Sequence, residues 1–178
     1  MCSSDLPVGF KNGTDGSIKV AVDALRAAAA PHAFMGMTKT GQAAIFETVG
    51  NEDCHVILRG GRGKPNYDRA SIADALSELR AAGLPERLLV DASHDNSGKD
   101  HKHQPVVARE IADQIASPNP AIVGVMLESF LVPGRQDLEP GRTPTYGQSV
   151  TDACMGWDTT ASVLDRLAGA VRARRGRP

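Results

Sequence analysis

The sequence predicts an α/β fold in which strands and helices alternate. Four short apolar runs, each ending in a polar or charged residue, are typical of buried strands; they cover residues 8–11, 56–59, 88–91 and 123–128. Each run is followed by apolar residues at helical spacing, within residues 18–29, 72–79, 107–115 and 163–171. This alternation predicts a parallel sheet covered by helices.

Local signals support the ends of the predicted helices. Pro105 falls in the first turn of the third helix, where a missing N–H is tolerated, and Gly83 follows the second helix. The last turn of the fourth helix carries Arg172, Arg174 and Arg175, which suit the negative end of the helix dipole. These signals agree with the boundaries that the apolar spacing gives.

An inserted β-hairpin is predicted between the first helix and the second strand, because residues 32–47 contain two extended runs around a Lys-Thr-Gly-Gln turn. With the hairpin set aside, the strand ends recur at intervals of one βα unit. Open sheets and (β/α)8 TIM barrels both use this unit, but a barrel typically needs roughly 250 residues. A chain of 178 residues therefore fits half of a TIM barrel.

The composition argues against several kinds of partner. Twenty basic and 21 acidic side chains create no large field toward nucleic acid or an anionic membrane. No apolar run approaches the roughly 20 residues that cross a bilayer. Cys2, Cys54 and Cys154 show no C-x-x-C spacing, which favours a reducing compartment. We expect a cytoplasmic protein with no nucleic-acid or membrane partner.

The first six residues are interpreted as a leader foreign to the native protein. Cys-Ser-Ser-Asp-Leu is the translation of one reading frame of a common sequencing-adapter end. The native domain is then expected to occupy residues 7–178, and the native protein to continue upstream of it.

Residues at the carboxyl ends of the strands are the candidates for chemistry, because α/β folds gather their ligand site there. They are Lys11, Arg59, His94 and Glu128, and Asp152 can fold back to the same edge from the loop before the last helix. One imidazole and two carboxylates suit a divalent first-row metal, whereas the two cations suit a phosphate or carboxylate. Each residue also has a purely structural interpretation. Asp152 would cap a helix and His94 would be a hydrogen-bonded loop histidine. The remaining three, Glu128, Lys11 and Arg59, would be partners in ion pairs.

Other motifs offer weaker candidates. His101 and His103 have the spacing that binds zinc in some barrel hydrolases, but their polar surroundings favour a solvated helix start. Residues 60–64 resemble a phosphate loop without its required register, so no nucleotide site is expected. Cys154 is interpreted as a small buried thiol rather than a ligand. A metal-dependent barrel hydrolase that uses the two histidines remains an alternative function.

Five segments together resemble the class I 3-deoxy-7-phosphoheptulonate (DAHP) synthases. They are PVGFKNGTDG (7–16), GNEDCHVILRGGRGKPNY (50–67), LLVDASHDNSGKDHKHQ (88–104), IVGVMLESFLVPGRQ (122–136) and YGQSVTDACMGW (146–157). The resemblance implies a TIM barrel of which this chain would supply strands five to eight. It also implies condensation of phosphoenolpyruvate with erythrose 4-phosphate and release of phosphate, the first step of the shikimate pathway to aromatic amino acids.

The resemblance gives each candidate residue a role. His94, Glu128 and Asp152 match three of the family's four metal ligands, and the fourth, a cysteine in a Gly-Pro-Cys-Ser motif, has no counterpart here. Lys11 and Arg59 match residues that hold phosphoenolpyruvate. The implied cofactor is manganese, iron, cobalt or zinc, which would polarise the aldehyde oxygen, and Asp152 would also orient the aldehyde.

The same resemblance implies that the hairpin helps to bind an aromatic amino acid as feedback effector, through Phe34 and Gly36 on its first strand. A glycine rather than a serine leaves room for a polar ring substituent, which favours tyrosine over phenylalanine. The full-length protein is expected to be a homo-oligomer. The chain of 178 residues is expected to be inactive alone, and a non-catalytic truncated fragment is a further alternative.

Overall fold

The computed structural model of the protein describes residues 6–117 and 120–176, so the predicted leader lies outside the described residues except for Leu6. In chain order the elements are β1 (Val8–Lys11), α1 (Lys19–Ala29), β2 (His32–Met37), β3 (Ala43–Thr48), β4 (Cys54–Leu58), α2 (Arg69–Ala81), β5 (Leu88–Asp91), α3 (Gln104–Ile115), β6 (Ile122–Met126), β7 (Val132–Arg135), β8 (Gln148–Ser149) and α4 (Trp157–Arg175).

The central sheet has the strand order β1-β4-β5-β6, and all its neighbouring strands are parallel. These four strands and the four helices are the ones that the apolar patterns predict, so the α/β class with a parallel sheet is confirmed. In the part of the chain that the structure describes, the sheet is open and no closed barrel forms. The assignment to strands five to eight of a TIM barrel therefore stays a prediction.

The apolar core lies where the helices pack on the sheet. Val56, Leu58, Leu88 and Val90 alternate along β4 and β5 and are at most 1% exposed. They belong to one buried cluster with apolar residues of all four helices. Complete burial of such a side chain contributes about 1.5–3 kcal/mol, so this layer holds the strand ends in fixed register.

Both ends of α2 are capped: the cap at its start was not predicted, whereas Gly83 after its last turn was. The Asp68 side chain caps α2 by accepting hydrogen bonds from the backbone N–H groups of Ala70 and Ser71. At the other end of α2, Gly83 has φ 69° and donates to the Arg80 carbonyl, while the Leu84 N–H reaches the carbonyl of residue 79. This is a Schellman turn, which favours glycine because its φ is positive.

Several features differ from the predicted elements. The last strand of the sheet ends at Met126 instead of residue 128, so Glu128 lies in the loop beyond it. The short parallel pair β7–β8 was not predicted, because Pro133 and Gly134 are residues that argue against a strand. The pair nonetheless shapes the loop before α4. Antiparallel β2–β3 forms the predicted hairpin and extends it to Thr48.

Candidate metal centre and active site

The carboxyl edge of the sheet gathers the predicted site residues. Lys11 pairs in register with Ile57, and Asp91 with Met126, so neighbouring strands end at one level. Asp152 reaches this edge because the segment after it runs beside the segment after β6. The Met155 N–H donates to the Glu128 carbonyl at 2.9 Å, and the Phe130 N–H donates to the Met155 carbonyl at 3.0 Å.

His94, Glu128 and Asp152 form a compact cluster of potential ligands. One ligand atom from each residue lies within 4.8 Å of the other two. His94 and Glu128 are half-buried, whereas Asp152 is exposed. Two carboxylates this close repel each other unless a cation or a proton lies between them, and one nitrogen with two oxygens suits a divalent first-row ion. The donor set therefore fits the predicted metal.

The His94 ring is held by the end of β5. Its Nδ1 atom lies 2.7 Å from Oδ2 of Asp91 and 2.8 Å from Oγ of Ser93. His94 also has φ 49°, a left-handed backbone that is uncommon outside glycine and costs about 1 kcal/mol or more. The Lys99 N–H donates to the His94 carbonyl at 2.7 Å and closes the turn. The ring is thus held at Nδ1, and the backbone that carries it is held by the turn.

Glu128 is fixed through its backbone by Gln104. The Glu128 N–H donates to Oε1 of Gln104 at 3.0 Å, and Nε2 of Gln104 donates to the Glu128 carbonyl at 3.3 Å. Gln104 is 1% exposed. Gln104 is not among the predicted site residues, because a glutamine at the start of a helix gives no signal of a tertiary contact.

The two cations differ in their surroundings. Nζ of Lys11 donates to Oδ2 of Asp91 at 3.2 Å, so Lys11 makes the structural ion pair that is the alternative to a ligand-binding role. Asp91 is completely buried. Within residues 6–117 and 120–176 the half-buried Arg59 guanidinium makes no hydrogen bond or ion pair. Its charge therefore has no partner in that part of the chain.

Three asparagines, absent from our predicted site, join the loops after β1, β4 and β5. Asn12 accepts at Oδ1 from the Arg59 N–H at 2.8 Å and from Nδ2 of Asn66 at 3.3 Å. Oδ1 of Asn96 accepts from the Asn66 N–H at 2.7 Å, and its Nδ2 donates to the Asp91 carbonyl at 2.8 Å. Such residues resemble ordinary turn formers in a sequence.

The competing candidates lie apart from this cluster. In the described ranges, His94, Glu128 and Asp152 are the only group of three or more potential ligands. His101 instead lines a separate cleft, and His103 is the residue before the first turn of α3. Among the described residues, His101 and His103 are thus not part of a group of three potential ligands.

Cys154 behaves as a buried thiol. Its Sγ lies 3.9 Å from Oε2 of Glu128 and 3.4 Å from the Asp152 carbonyl oxygen. Burial raises the pKa of the Cys154 thiol, and the charges of Glu128 and Asp152 raise it further, against a lowering by Ser149. The thiol form is favoured, as the sequence interpretation expects.

The hairpin brings the two predicted effector residues beside one aromatic ring. Phe34 stacks on Phe46 with 5.9 Å between ring centroids and 16° between planes. A Cβ atom added to Gly36 would lie 2.8 Å from the Phe46 ring. The space beside Gly36 is thus filled by Phe46, and an effector would need this ring to turn away. The effector role of Phe34 and Gly36 stays a prediction.

The fold and the cluster together define an α/β protein with a candidate divalent-metal centre and a free cation at the carboxyl edge of its sheet. Comparison with known proteins identifies the family. The profile described as DAHP synthetase I family matches residues 1–165. The chain belongs to this family.

Curated relatives and solved structures agree with this membership. The chain is 54% identical over 170 residues to "Phospho-2-dehydro-3-deoxyheptonate aldolase, Phe-sensitive" of Escherichia coli (strain K12), covering 96% of this chain and 48% of that protein. It is 53% identical over 173 residues to the "tyrosine-inhibited" aldolase of Schizosaccharomyces pombe, covering 95% and 46%. The structure of the aldolase from Francisella tularensis SCHU S4 matches with a TM-score of 0.89 and 46% identity, covering 97% of this chain and 51% of that one. The chain spans about half the length of these relatives.

Within residues 6–117 and 120–176, each helix is too short or too polar to span a lipid bilayer.

Proposed function

We propose that this chain is the C-terminal half of a 3-deoxy-7-phosphoheptulonate synthase, which condenses phosphoenolpyruvate with erythrose 4-phosphate and releases phosphate. The cluster of His94, Glu128 and Asp152 carries the proposal, because it lies at the same edge as Lys11 and Arg59. Ligands for a metal and cations for an anionic substrate are what this condensation requires. Residues 7–178 would be the native part of the chain.

The three clustered side chains would hold one divalent ion, with manganese, iron, cobalt and zinc all compatible with a mixed nitrogen and oxygen set. When bound, the ion supplies Lewis-acid polarisation of the aldehyde oxygen. His94 contributes a ring nitrogen, whereas Glu128 and Asp152 contribute carboxylate oxygens and negative charge. Asp152 is the exposed member of the cluster, and it would also orient the incoming aldehyde.

Arg59 and Lys11 would bind phosphoenolpyruvate. The unpaired Arg59 guanidinium offers two parallel donors to a phosphate or carboxylate, whereas Lys11 uses one of its three donors on Asp91 and keeps two for a ligand. Together they orient C3 of the enol toward the aldehyde carbon, where the new bond forms. They also neutralise the phosphate that leaves C2 by C–O cleavage once water has added there.

The proposal also covers how the protein is regulated, how it assembles and where in the cell it lies. An aromatic amino acid would bind at the hairpin near Phe34 and Gly36 once the Phe46 ring turns away, and the full-length protein would form a homo-oligomer. The relatives named as Phe-sensitive and tyrosine-inhibited show that effector choice varies between similar chains. The free thiols of Cys54 and Cys154 favour a cytoplasmic location.

A chimera tests the condensation. Residues 7–178 replace the matching half of the E. coli relative, and loss of phosphoenolpyruvate absorbance is followed with Mn²⁺ and both substrates. We expect turnover from the chimera and none from the 178-residue chain alone. A folded chimera without turnover would support the non-catalytic alternative, and turnover by the chain alone would contradict the assignment to half of the enzyme.

A further inference from the structure

One fully buried carboxylate, that of Asp91, contacts both a candidate metal ligand, His94, and a candidate substrate-binding cation, Lys11. Oδ2 of Asp91 lies 2.7 Å from Nδ1 of His94 and accepts from Nζ of Lys11 at 3.2 Å. Oδ1 of the same residue accepts from the Ser93 N–H at 2.8 Å and from the Ser93 hydroxyl at 2.5 Å. Asp91 is 0% exposed, so water does not compete for these oxygens.

We propose that Asp91 is a positioning residue that fixes the His94 ring in the tautomer with hydrogen on Nδ1 and holds the Lys11 ammonium beside it. The Ser93 hydroxyl spends its single hydrogen on Oδ1 of Asp91, so toward Nδ1 of His94, 2.8 Å away, it can only accept. The other tautomer would also place a nitrogen lone pair 2.7 Å from Oδ2 of Asp91. Both contacts require a hydrogen on Nδ1.

The consequence concerns the second ring nitrogen. With hydrogen on Nδ1, Nε2 keeps its lone pair and can bind a metal ion, which is the arrangement that carboxylates impose on metal-binding histidines. Free histidine in water favours hydrogen on Nε2, so the protein must impose the reverse. The inference rests on the proposed function only for the metal-binding role of His94.

The Asp91→Asn substitution is expected to reverse the preferred tautomer of His94 while keeping the volume of the side chain. The Ser93 N–H keeps the amide oxygen at the Oδ1 position, which turns the amide NH₂ toward Nδ1 of His94 and Nζ of Lys11. A donor facing Nδ1 selects the tautomer with hydrogen on Nε2, which has no lone pair for a metal. We expect about a 10–100-fold loss of metal affinity. The matched control is Asp95→Asn, which removes a carboxylate next to His94 that makes no hydrogen bond or ion pair within the described residues.

Two measurements test the inference. Long-range ¹⁵N–¹H correlation spectra of the metal-free chain at alkaline pH report the His94 tautomer, with a His94→Gln spectrum for assignment. We expect hydrogen on Nδ1 in the wild type and in Asp95→Asn, and hydrogen on Nε2 in Asp91→Asn. Hydrogen on Nε2 in the wild type would overturn the inference, and this result does not depend on whether Asp91→Asn folds.

The second measurement is titration with Co²⁺, followed by its visible absorption. Asp91→Asn should bind Co²⁺ about 10–100-fold more weakly than the wild type, and Asp95→Asn about equally. Equal affinity in a folded Asp91→Asn variant would overturn the inference. No Co²⁺ binding by the wild type would instead contradict the proposed function, and the metal-free tautomer measurement would still decide the role of Asp91.

Discussion

Gln104 and Glu128 are joined by two reciprocal hydrogen bonds, in which the Gln104 side-chain amide pairs with the N–H and the carbonyl of Glu128. The amide is buried at the start of α3, and Glu128 lies just beyond β6. The side chain at the start of α3 thus holds the backbone of Glu128, a candidate metal ligand, in place. The two hydrogen bonds resemble those that a peptide group of a neighbouring strand would make.

Gln104→Leu is expected to weaken metal binding as well as stability. The variant leaves the Glu128 N–H without its acceptor, which costs about 1–3 kcal/mol for a buried group. The Glu128 carbonyl keeps only the hydrogen bond from the Met155 N–H, so the backbone of Glu128 is held less firmly. The control is Gln114→Leu, which removes a comparably buried amide that donates to the Tyr67 carbonyl, away from the cluster. Urea denaturation should show a loss of stability in both variants, and Co²⁺ titration a loss of affinity only in Gln104→Leu. Equal affinities would contradict the role given to Gln104.

Arg59→Lys in the chimera should raise the Michaelis constant for phosphoenolpyruvate by about tenfold or more, because a point charge loses one of two parallel hydrogen bonds to an anion. The constant for erythrose 4-phosphate should change less. Arg62→Lys, an equivalent change at an exposed residue of the same loop, should leave both constants unchanged. Steady-state kinetics with each substrate varied in turn would contradict the role of Arg59 if its phosphoenolpyruvate constant did not move.

Gly61→Ala should disturb the loop that follows Arg59. A Cβ atom at Gly61 would lie 2.2 Å from the backbone nitrogen of Gly16, so one of the two loops must move, at a cost of about 1–3 kcal/mol. Gly63→Ala is the comparison: its φ of 70° strains alanine by about 1 kcal/mol, but the added methyl meets open space. Urea denaturation should rank Gly61→Ala as the less stable variant, and the reverse order would contradict the close approach of the loops.

Asp68→Ala should remove a helix cap in a pH-dependent way. Hydrogen bonds from the Ser71 side chain and backbone lower the pKa of Asp68, so its stabilising effect is present above the carboxyl's unfolded pKa of about 4 and is lost as pH falls through the lower folded pKa. At neutral pH the loss should be about 1 kcal/mol. Asp74→Ala, an exposed change further along α2, should not weaken the helix. Urea denaturation between neutral and strongly acidic pH should show the wild type losing its advantage over Asp68→Ala, and a constant difference would contradict the prediction.

The sequence predicts the elements of the sheet well because strands buried beneath helices are continuous apolar runs. β1 and β5 have the predicted bounds, and each βα unit is recovered in order. The β7–β8 pair is missed because the proline and glycine of β7 are residues that usually exclude strands. β7 forms a strand by pairing with β8, which lies in the loop before α4.

Within the candidate site, the strand-end rule finds His94, Glu128 and Asp152 and the structure brings them together. The residues that hold them are not found from the sequence. Asp91 has the appearance of a polar strand end, yet its partner Lys11 is 80 positions away along the chain. Contacts of this kind depend on strand order, which local patterns do not encode.

Metal binding by the 178-residue chain is the measurement that tests the central claim most directly. Equilibrium dialysis against Mn²⁺ and against Co²⁺ compares the wild type with His94→Ala, Glu128→Ala and Asp152→Ala, each of which removes one ligand atom from the cluster. The control is His101→Ala, which removes an imidazole from the separate cleft. We expect one ion per wild-type chain, a large loss of affinity in each of the three variants and none in the control. Wild-type affinity in Asp152→Ala, or loss of the ion in His101→Ala, would contradict the claim.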